Sequence, residues 1–181
     1  MLGDRLLILP SFAALAILNG VLWLASGVAA FGEPTYWSPS SPLDYAAVGL
    51  FSAGALAFGL CLWFLSDGWR GATSIAAQIG TISAIVVSGA NIAEDALLIR
   101  PFGALWIAGV FALEIALLVL GVALALAPGR RALALPVLLT LVAFFLWGTP
   151  YGRFVLAFVW LAAGALSAAR VRPFSPPAAA H

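Results

Sequence analysis

Hydroxyl and carboxyl side chains recur at heptad spacing along one apolar stretch, which runs from Ala72 to Leu98. The positions that recur at every seventh residue are Ser74, Thr81, Ser88 and Asp95. At 3.6 residues per turn, this spacing places the four side chains along one side of a helix, with a drift of about 20° per heptad. Hydrocarbon offers no water as a hydrogen-bond partner, so this side is predicted to face other helices or a wet cavity.

A second group of oxygen-bearing side chains lies at the end of the same stretch. Asn91, Glu94 and Asp95 fall within two helical turns, and Arg100 follows them. Amide and carboxylate oxygens can bind a solute or a hard cation, and a site near the outer surface is the functional interpretation. The alternative is a solvated helix end whose acids pair with Arg100. Acids at the C-terminal end of a helix oppose its dipole, which favours a compensating cation nearby.

Glu114 is the deepest acid, about twelve residues into the fourth apolar stretch and so roughly 18 Å from its end at 1.5 Å per residue. A charge at that depth costs about 2.5–3.5 kcal/mol. The side chain is therefore predicted either to be neutral and hydrogen-bonded across helices, or to bind a proton or ligand beside Asn19 and the third helix. The predicted ligand-binding residues between helices three and four, with neighbours, are Glu114, Asn91, Glu94, Asp95, Ser88, Thr81, Asn19 and Arg100.

Composition identifies the chain as a membrane protein. Of its 181 residues 64% are hydrophobic and 8% charged, and the mean hydropathy is +1.12, whereas soluble domains are about a quarter charged. The net charge of +1 comes from scattered arginines without a basic block, so nucleic acid is not an expected partner.

Several chemistries lack their residues in this sequence. The chain has no lysine for a Schiff base, and its one histidine is His181, the last residue. Histidine-based catalysis, haem ligation and zinc sites are therefore not expected. The single cysteine, Cys61, lies in an apolar run and is interpreted as a small buried hydrophobe. No cofactor and no metal are predicted.

The apolar pattern predicts an all-α polytopic membrane protein, a bundle of six transmembrane helices in one domain, residues 1–172. The predicted spans are Leu6–Phe31, Tyr45–Leu65, Ala72–Leu98, Phe102–Ala127, Ala132–Trp147 and Arg153–Ala169. A cleaved signal peptide is the competing interpretation of the first span. The proline-rich linker Gly32–Asp44 is predicted to be a cap or a lid. Residues 173–181 are predicted to be a disordered tail that ends in a tag remnant.

Arginine placement predicts the orientation of the six spans. Six spans put both termini on one side, together with Arg5, Arg70, Arg130, Arg131, Arg170 and Arg172. The other side then carries only Arg100 and Arg153. The positive-inside rule therefore predicts cytoplasmic termini in a cell membrane, and a bacterial inner membrane is the expected setting.

Three functions remain open at this point. The first is binding, and potentially transport, of a small solute or ion through the carboxylates of helices three and four. The second is a non-catalytic subunit that docks a second copy or another membrane protein. The third is an intramembrane enzyme that acts on lipid with Glu94 or Asp95 as acid or base. In layout alone, six spans with a long first outer loop are similar to the substrate-capturing subunits of vitamin transporters, and no motif accompanies that similarity.

Overall fold

A computed structural model of the chain describes residues 4–31, 39, 41–66, 71–99, 102–127, 131–146 and 149–170. Within these ranges the fold is all-helical. The α-helices are α1 (Asp4–Phe31), α2 (Pro42–Ser66), α3 (Ala72–Asn91), α4 (Gly103–Leu126), α5 (Arg131–Phe145) and α6 (Pro150–Arg170). A short π-helical turn, Ile92–Ala96, continues α3.

Five of the six helices are long and apolar enough to cross a membrane, namely α1, α2, α3 with its π turn, α4 and α6. Large apolar side chains are exposed along all five, as expected for a surface that meets lipid rather than water. Helix α5 has 15 residues, so it is about 22 Å long against a hydrocarbon core of about 30 Å. The helix count thus agrees with the sequence, whereas a sixth full span and the side of the termini stay predictions.

Two helices begin about one turn earlier than the sequence pattern indicates. We expected α2 from Tyr45, but it begins at Pro42, where Ser41 and Asp44 form a capping box with two hydrogen bonds of 3.1 Å. Similarly, α6 begins at Pro150, and the Thr149 hydroxyl accepts a hydrogen bond of 3.4 Å from the backbone N–H of Gly152. Proline suits the first helical position because its missing N–H has no intrahelical partner there. Most of the linker 32–44 lies outside the described residues.

The third helix ends earlier than expected, in a π turn. The backbone N–H of Leu97 donates to the carbonyl of Ile92 at 3.0 Å, and that of Ile99 donates to the carbonyl of Ala93 at 2.9 Å. Leu98 has a φ of 55°, the left-handed conformation that commonly ends a helix. Glu94 and Asp95 therefore lie on a wider turn, not on the regular heptad stripe.

The six helices form a closed ring. Each helix packs against the next along the chain, and α6 returns to pack against α1. The centre is filled by edge-on and tilted aromatic contacts between rings 5.3 to 6.5 Å apart, which contribute packing energy beyond the buried area. These rings belong to Phe12, Trp23, Phe51, Phe58, Phe144 and Trp160. The tryptophans named here are thus core residues.

Helices α1 and α6 approach most closely at glycines. A Cβ on Gly20 would lie 2.8 Å from the backbone nitrogen of Leu161, and a Cβ on Gly164 would lie 3.0 Å from the carbonyl oxygen of Ala13. Because these neighbours are backbone atoms, a side chain at either position would force the helices apart. This close contact fixes the depth and rotation of α1, which carries the buried polar groups described below.

Candidate functional site

The hydroxyls of the α3 stripe face α2, as their spacing predicts. The Thr81 hydroxyl is placed to donate to the carbonyl oxygens of Gly59 at 3.0 Å and Ala77 at 2.9 Å. The Ser88 hydroxyl donates to the carbonyl oxygen of Ser52 at 2.9 Å. Thr81 and Ser88 are both buried. Their partners are backbone groups of α2 and α3, so these two residues join the helices directly.

Asn91 extends the same α2–α3 contact. Its side-chain Nδ2 donates to the Ser52 hydroxyl at 3.1 Å, and the residue is buried. At the opposite end of the stripe, the half-buried hydroxyl of Ser74 accepts a long hydrogen bond of 3.4 Å from Gln78. The hydroxyls of Thr81 and Ser88 and the Nδ2 group of Asn91 thus have partners within the chain.

Glu94 lies against the beginning of α4. A Cβ on Gly103, the first residue of α4, would lie 2.9 Å from the Glu94 Oε1 atom. The carboxylate therefore sits at a helix N-terminus, where the helix dipole stabilises negative charge by roughly 0.3–1 kcal/mol. The sequence predicted a nearby cation, either an arginine or a ligand, to compensate the acids at the end of α3. For Glu94 the structure offers the N-terminal end of α4 instead.

The structure gives fewer contacts for the other residues considered for a site near the outer surface. Asp95 is half-buried and forms no hydrogen bond within the described ranges. Tyr151, in the first turn of α6, is exposed and packs near Phe31. Arg100 lies outside the described residues. Among the described residues no group of three His, Cys, Asp or Glu side chains could hold a metal ion.

Glu114 lies on a different side of α4 from the α3 contact. Helix α3 packs on α4 through Gly109, which approaches Val87 and Ser83, and through Ala116. At 100° per residue, Glu114 is about 140° around the helix from Gly109 and only about 20° from Gly121, which contacts α5. The carboxyl is half-buried and has no hydrogen-bond partner in the described part of the chain. Glu114 is therefore at the α5 edge of α4, away from Thr81 and Ser88.

Three buried polar atoms on α1 have no hydrogen-bond partner among the described residues. Asn19 is 0% exposed, and neither its Oδ1 nor its Nδ2 has a hydrogen-bond partner. One turn along, the Nε1 atom of Trp23 is also buried without a partner. By contrast, Trp160 donates its Nε1 hydrogen to the Thr140 hydroxyl at 3.0 Å, and Thr140 in turn donates to the carbonyl of Pro136 at 2.7 Å. Buried polar groups normally have partners, so Asn19 and Trp23 call for an explanation.

A buried arginine of α6 contacts the same side of α1, farther along that helix. Arg153, in the first turn of α6, is 6% exposed and donates from Nη1 to the Ser26 hydroxyl at 2.9 Å and to the Ser26 carbonyl at 3.3 Å. Its Cζ atom lies 5.3 Å from the centre of the Phe51 ring, which stabilises the cation further. The Trp23 ring lies 5.3 Å from the same Phe51 ring. Asn19, Trp23 and Ser26 thus form an inner stripe that ends at Arg153.

Sequence reasoning found Asn19 but missed the stripe to which it belongs. The signal was the spacing of Asn19, Trp23 and Ser26 at positions i, i+4 and i+7, the same helical-face argument used for α3. Arg153 gave no such signal, because an arginine at the start of an apolar span is usually exposed at the membrane surface. Its burial depends on the contact between α6 and α1, which no local pattern reveals.

The fold and this stripe define an all-helical protein whose apolar helices fit an integral membrane protein, with buried polar groups concentrated on α1, α2 and α3. Comparison of the chain with known protein families, curated proteins and solved structures finds no match.

Proposed function

We propose that the protein binds a small polar solute or ion at the inner stripe of α1. The observation that carries this proposal is the burial of the Asn19 carboxamide and the Trp23 indole N–H without partners among the described residues. A buried polar group with an unmade hydrogen bond costs about 1–3 kcal/mol. Two such side chains on adjacent turns are expected to share a ligand that supplies the missing hydrogen bonds.

The donor set indicates the kind of ligand. Asn19 offers two N–H donors and one acceptor, and Trp23 offers one donor. Donors therefore outnumber acceptors, which suits a halide, a carboxylate or a carbonyl oxygen. The guanidinium of Arg153, bonded to Ser26 on the same stripe, makes the approach more favourable for an anion than for a cation. Trp23 is packed against Phe51 and Phe144, which favours a small ligand.

Thermal unfolding of the purified protein tests this proposal. We expect the melting temperature of the wild type to rise selectively in one or more sodium salts of small anions, compared at equal ionic strength: chloride, bromide, nitrate, formate and acetate. A ligand at a hundred times its Kd stabilises a protein by about 2.7 kcal/mol. Asn19→Leu, which is close in size to asparagine, should abolish the selective response.

A second buried asparagine provides the matched control. Asn91→Leu removes a side chain that is already bonded to Ser52, so it should lower the melting temperature and leave the anion response intact. The proposal would be overturned if the wild type showed no anion-selective response and Asn19→Leu were more stable than the wild type in every salt. That result would make the Asn19 amide an unpaired group with no ligand.

We infer a second candidate function, that of a subunit in a membrane complex, from Glu114. This half-buried carboxyl near the middle of α4 has no partner in the described chain, and it neighbours exposed Phe111 and Leu118. The occupant that fits is a membrane helix of another protein with a basic side chain at mid-bilayer depth. A second copy fits less well, because the described basic side chains lie in the first turns of helices, at Arg131 and Arg153.

Native gels of gently solubilised membranes distinguish a Glu114 that contacts a partner protein from a Glu114 that only faces lipid. Glu114→Leu should remove a larger complex that the wild type forms, and it should stabilise the isolated chain by up to about 3 kcal/mol because a mid-bilayer acid is costly. Leu118→Ala, on the neighbouring exposed surface, should keep the complex. Identical migration of wild type and Glu114→Leu would contradict the docking role. If the complex contains only copies of this chain, the partner is a second copy and not another protein.

A further inference from the structure

An apolar cleft lies between α5 and α6, away from the polar stripe of α1. Its volume is about 120 Å³. The lining residues are Ala132, Leu133, Leu135, Pro136, Leu139, Val159, Ala162, Ala163, Leu166 and Ser167. Leu135 and Leu166, on its rim, are 62% and 61% exposed. A cleft that opens sideways from an apolar bundle is in position to receive an acyl chain from the surrounding bilayer.

One end of the cleft carries polar groups. Arg131 is exposed at the first position of α5, directly before Ala132 and one turn before Leu135. Ser167 lines the cleft near the end of α6. Arginine binds phosphate oxygens with charge-assisted hydrogen bonds, and basic pockets between membrane helices bind anionic headgroups. The polar groups thus lie at one end of the apolar cleft.

Pro136 adds an acceptor at the same end. Because proline has no backbone N–H, it cannot donate the intrahelical hydrogen bond to the carbonyl of Ala132. Ala132, a cleft-lining residue that follows Arg131 in the chain, therefore has a carbonyl without its usual helical donor. A headgroup that carries both a phosphate and hydroxyl groups would complement the cation and the carbonyl together.

We propose that the α5–α6 cleft is a binding site for an anionic phospholipid with a hydroxyl-bearing headgroup, such as phosphatidylglycerol. One acyl chain occupies the apolar cleft, the phosphate contacts Arg131, and a headgroup hydroxyl donates to the carbonyl of Ala132. The site is independent of the ligand proposed for Asn19, because the two share no residue. The bound lipid would also cover the side of α5, the shortest of the six helices.

Native mass spectrometry with added lipid tests the site. The probes are phosphatidylglycerol and phosphatidylcholine with identical acyl chains, and glycerol phosphate as the headgroup without chains. We expect wild-type protein to retain one phosphatidylglycerol in preference to phosphatidylcholine. Arg131→Gln should weaken phosphatidylglycerol binding about fivefold, the effect of about one basic residue at a membrane surface, and should leave phosphatidylcholine unchanged.

Two variants separate the acyl-chain contact from the headgroup contact. Ala163→Leu fills the floor of the cleft, and Leu166→Trp blocks its exposed rim without altering the core, so both should reduce retention of the lipid. Ala108→Leu, at an exposed position of α4, should leave it unchanged. Melting curves confirm that each variant is folded.

Three outcomes would overturn this proposal. Equal retention of the two lipids would remove the anionic preference. Tight binding of glycerol phosphate alone would show a free phosphate site instead of a lipid site. Retention that is unchanged in both Leu166→Trp and Ala163→Leu would place the lipid elsewhere on the bundle.

Discussion

Leu98 holds a left-handed backbone conformation, with a φ of 55°, just after the π turn that carries Glu94 and Asp95. A side chain in this conformation costs about 1–2 kcal/mol, whereas glycine adopts it freely. Since Leu98 is 60% exposed, little packing is lost when its side chain is removed. We expect Leu98→Gly to stabilise the protein by about 1 kcal/mol, measured by thermal or denaturant unfolding.

The preceding leucine is the control for that substitution. Leu97 is also exposed, but its φ of −99° is in the ordinary helical region. Leu97→Gly should therefore be neutral or destabilising, since glycine adds flexibility to the unfolded chain. A Leu98→Gly variant that is no more stable than Leu97→Gly would show that the conformation at Leu98 carries no strain.

At the residue scale, the sequence predicted which side chains turn inward better than it predicted their partners. Heptad spacing placed Thr81 and Ser88 on a buried side, and the structure agrees. Their acceptors are carbonyl oxygens of α2 and α3. Which carbonyls of α2 accept these hydrogen bonds depends on the axial register between α2 and α3. Register follows from close contacts such as Gly59 against Ala84, which a single-sequence pattern does not reveal.

At the element scale, the contact between α1 and α6 is predicted to tolerate no added side chain. Gly164→Ala would place a methyl group 3.0 Å from the carbonyl oxygen of Ala13 and the backbone nitrogen of Ile17. Such overpacking typically costs about 1–3 kcal/mol. We expect a lower melting temperature for Gly164→Ala, and also a weaker anion response, because α1 carries Asn19.

Glycine positions with free space serve as controls for this prediction. Gly49 in α2 and Gly89 in α3 have no neighbour within 4 Å of an added Cβ. Alanine is favoured over glycine in a helix by about 1 kcal/mol, so Gly49→Ala and Gly89→Ala should be neutral or stabilising. Equal effects of Gly164→Ala and Gly49→Ala would mean that the α1–α6 contact is looser than the structure shows.

Helix existence was predictable from the sequence, because long apolar runs broken by Pro, Gly and Arg clusters leave few alternatives. The observed helix bounds differ from the predicted ones where a residue type is common both in loops and at the start of a helix. Pro42 and Pro150 lie outside the predicted spans, yet they follow the caps Ser41 and Thr149 and occupy first helical positions. The π turn after Asn91 was not indicated by the regular heptad spacing of the sequence.

At the scale of the whole molecule, ring closure decides where polar groups meet. The return of α6 to α1 brings Arg153 onto Ser26, across 127 residues of sequence. The same closure separates Glu114 from the α3 stripe, since α4 presents different sides to α3 and α5. The site expected between helices three and four is thus divided into a partnered α2–α3 contact and an isolated acid. The fully buried Asn19 and Trp23, whose polar atoms have no partner among the described residues, lie on α1 instead.

The most direct measurement is the NMR signal of the Trp23 indole N–H in protein labelled with ¹⁵N-tryptophan, assigned by Trp23→Phe. The Trp160 indole, already bonded to Thr140, is the internal reference. Binding at the α1 stripe predicts that a small anion shifts the Trp23 signal saturably, that the Trp160 signal stays in place, and that Asn19→Leu abolishes the shift. A Trp23 signal that no small anion moves, or one that moves equally in Asn19→Leu, would contradict the account.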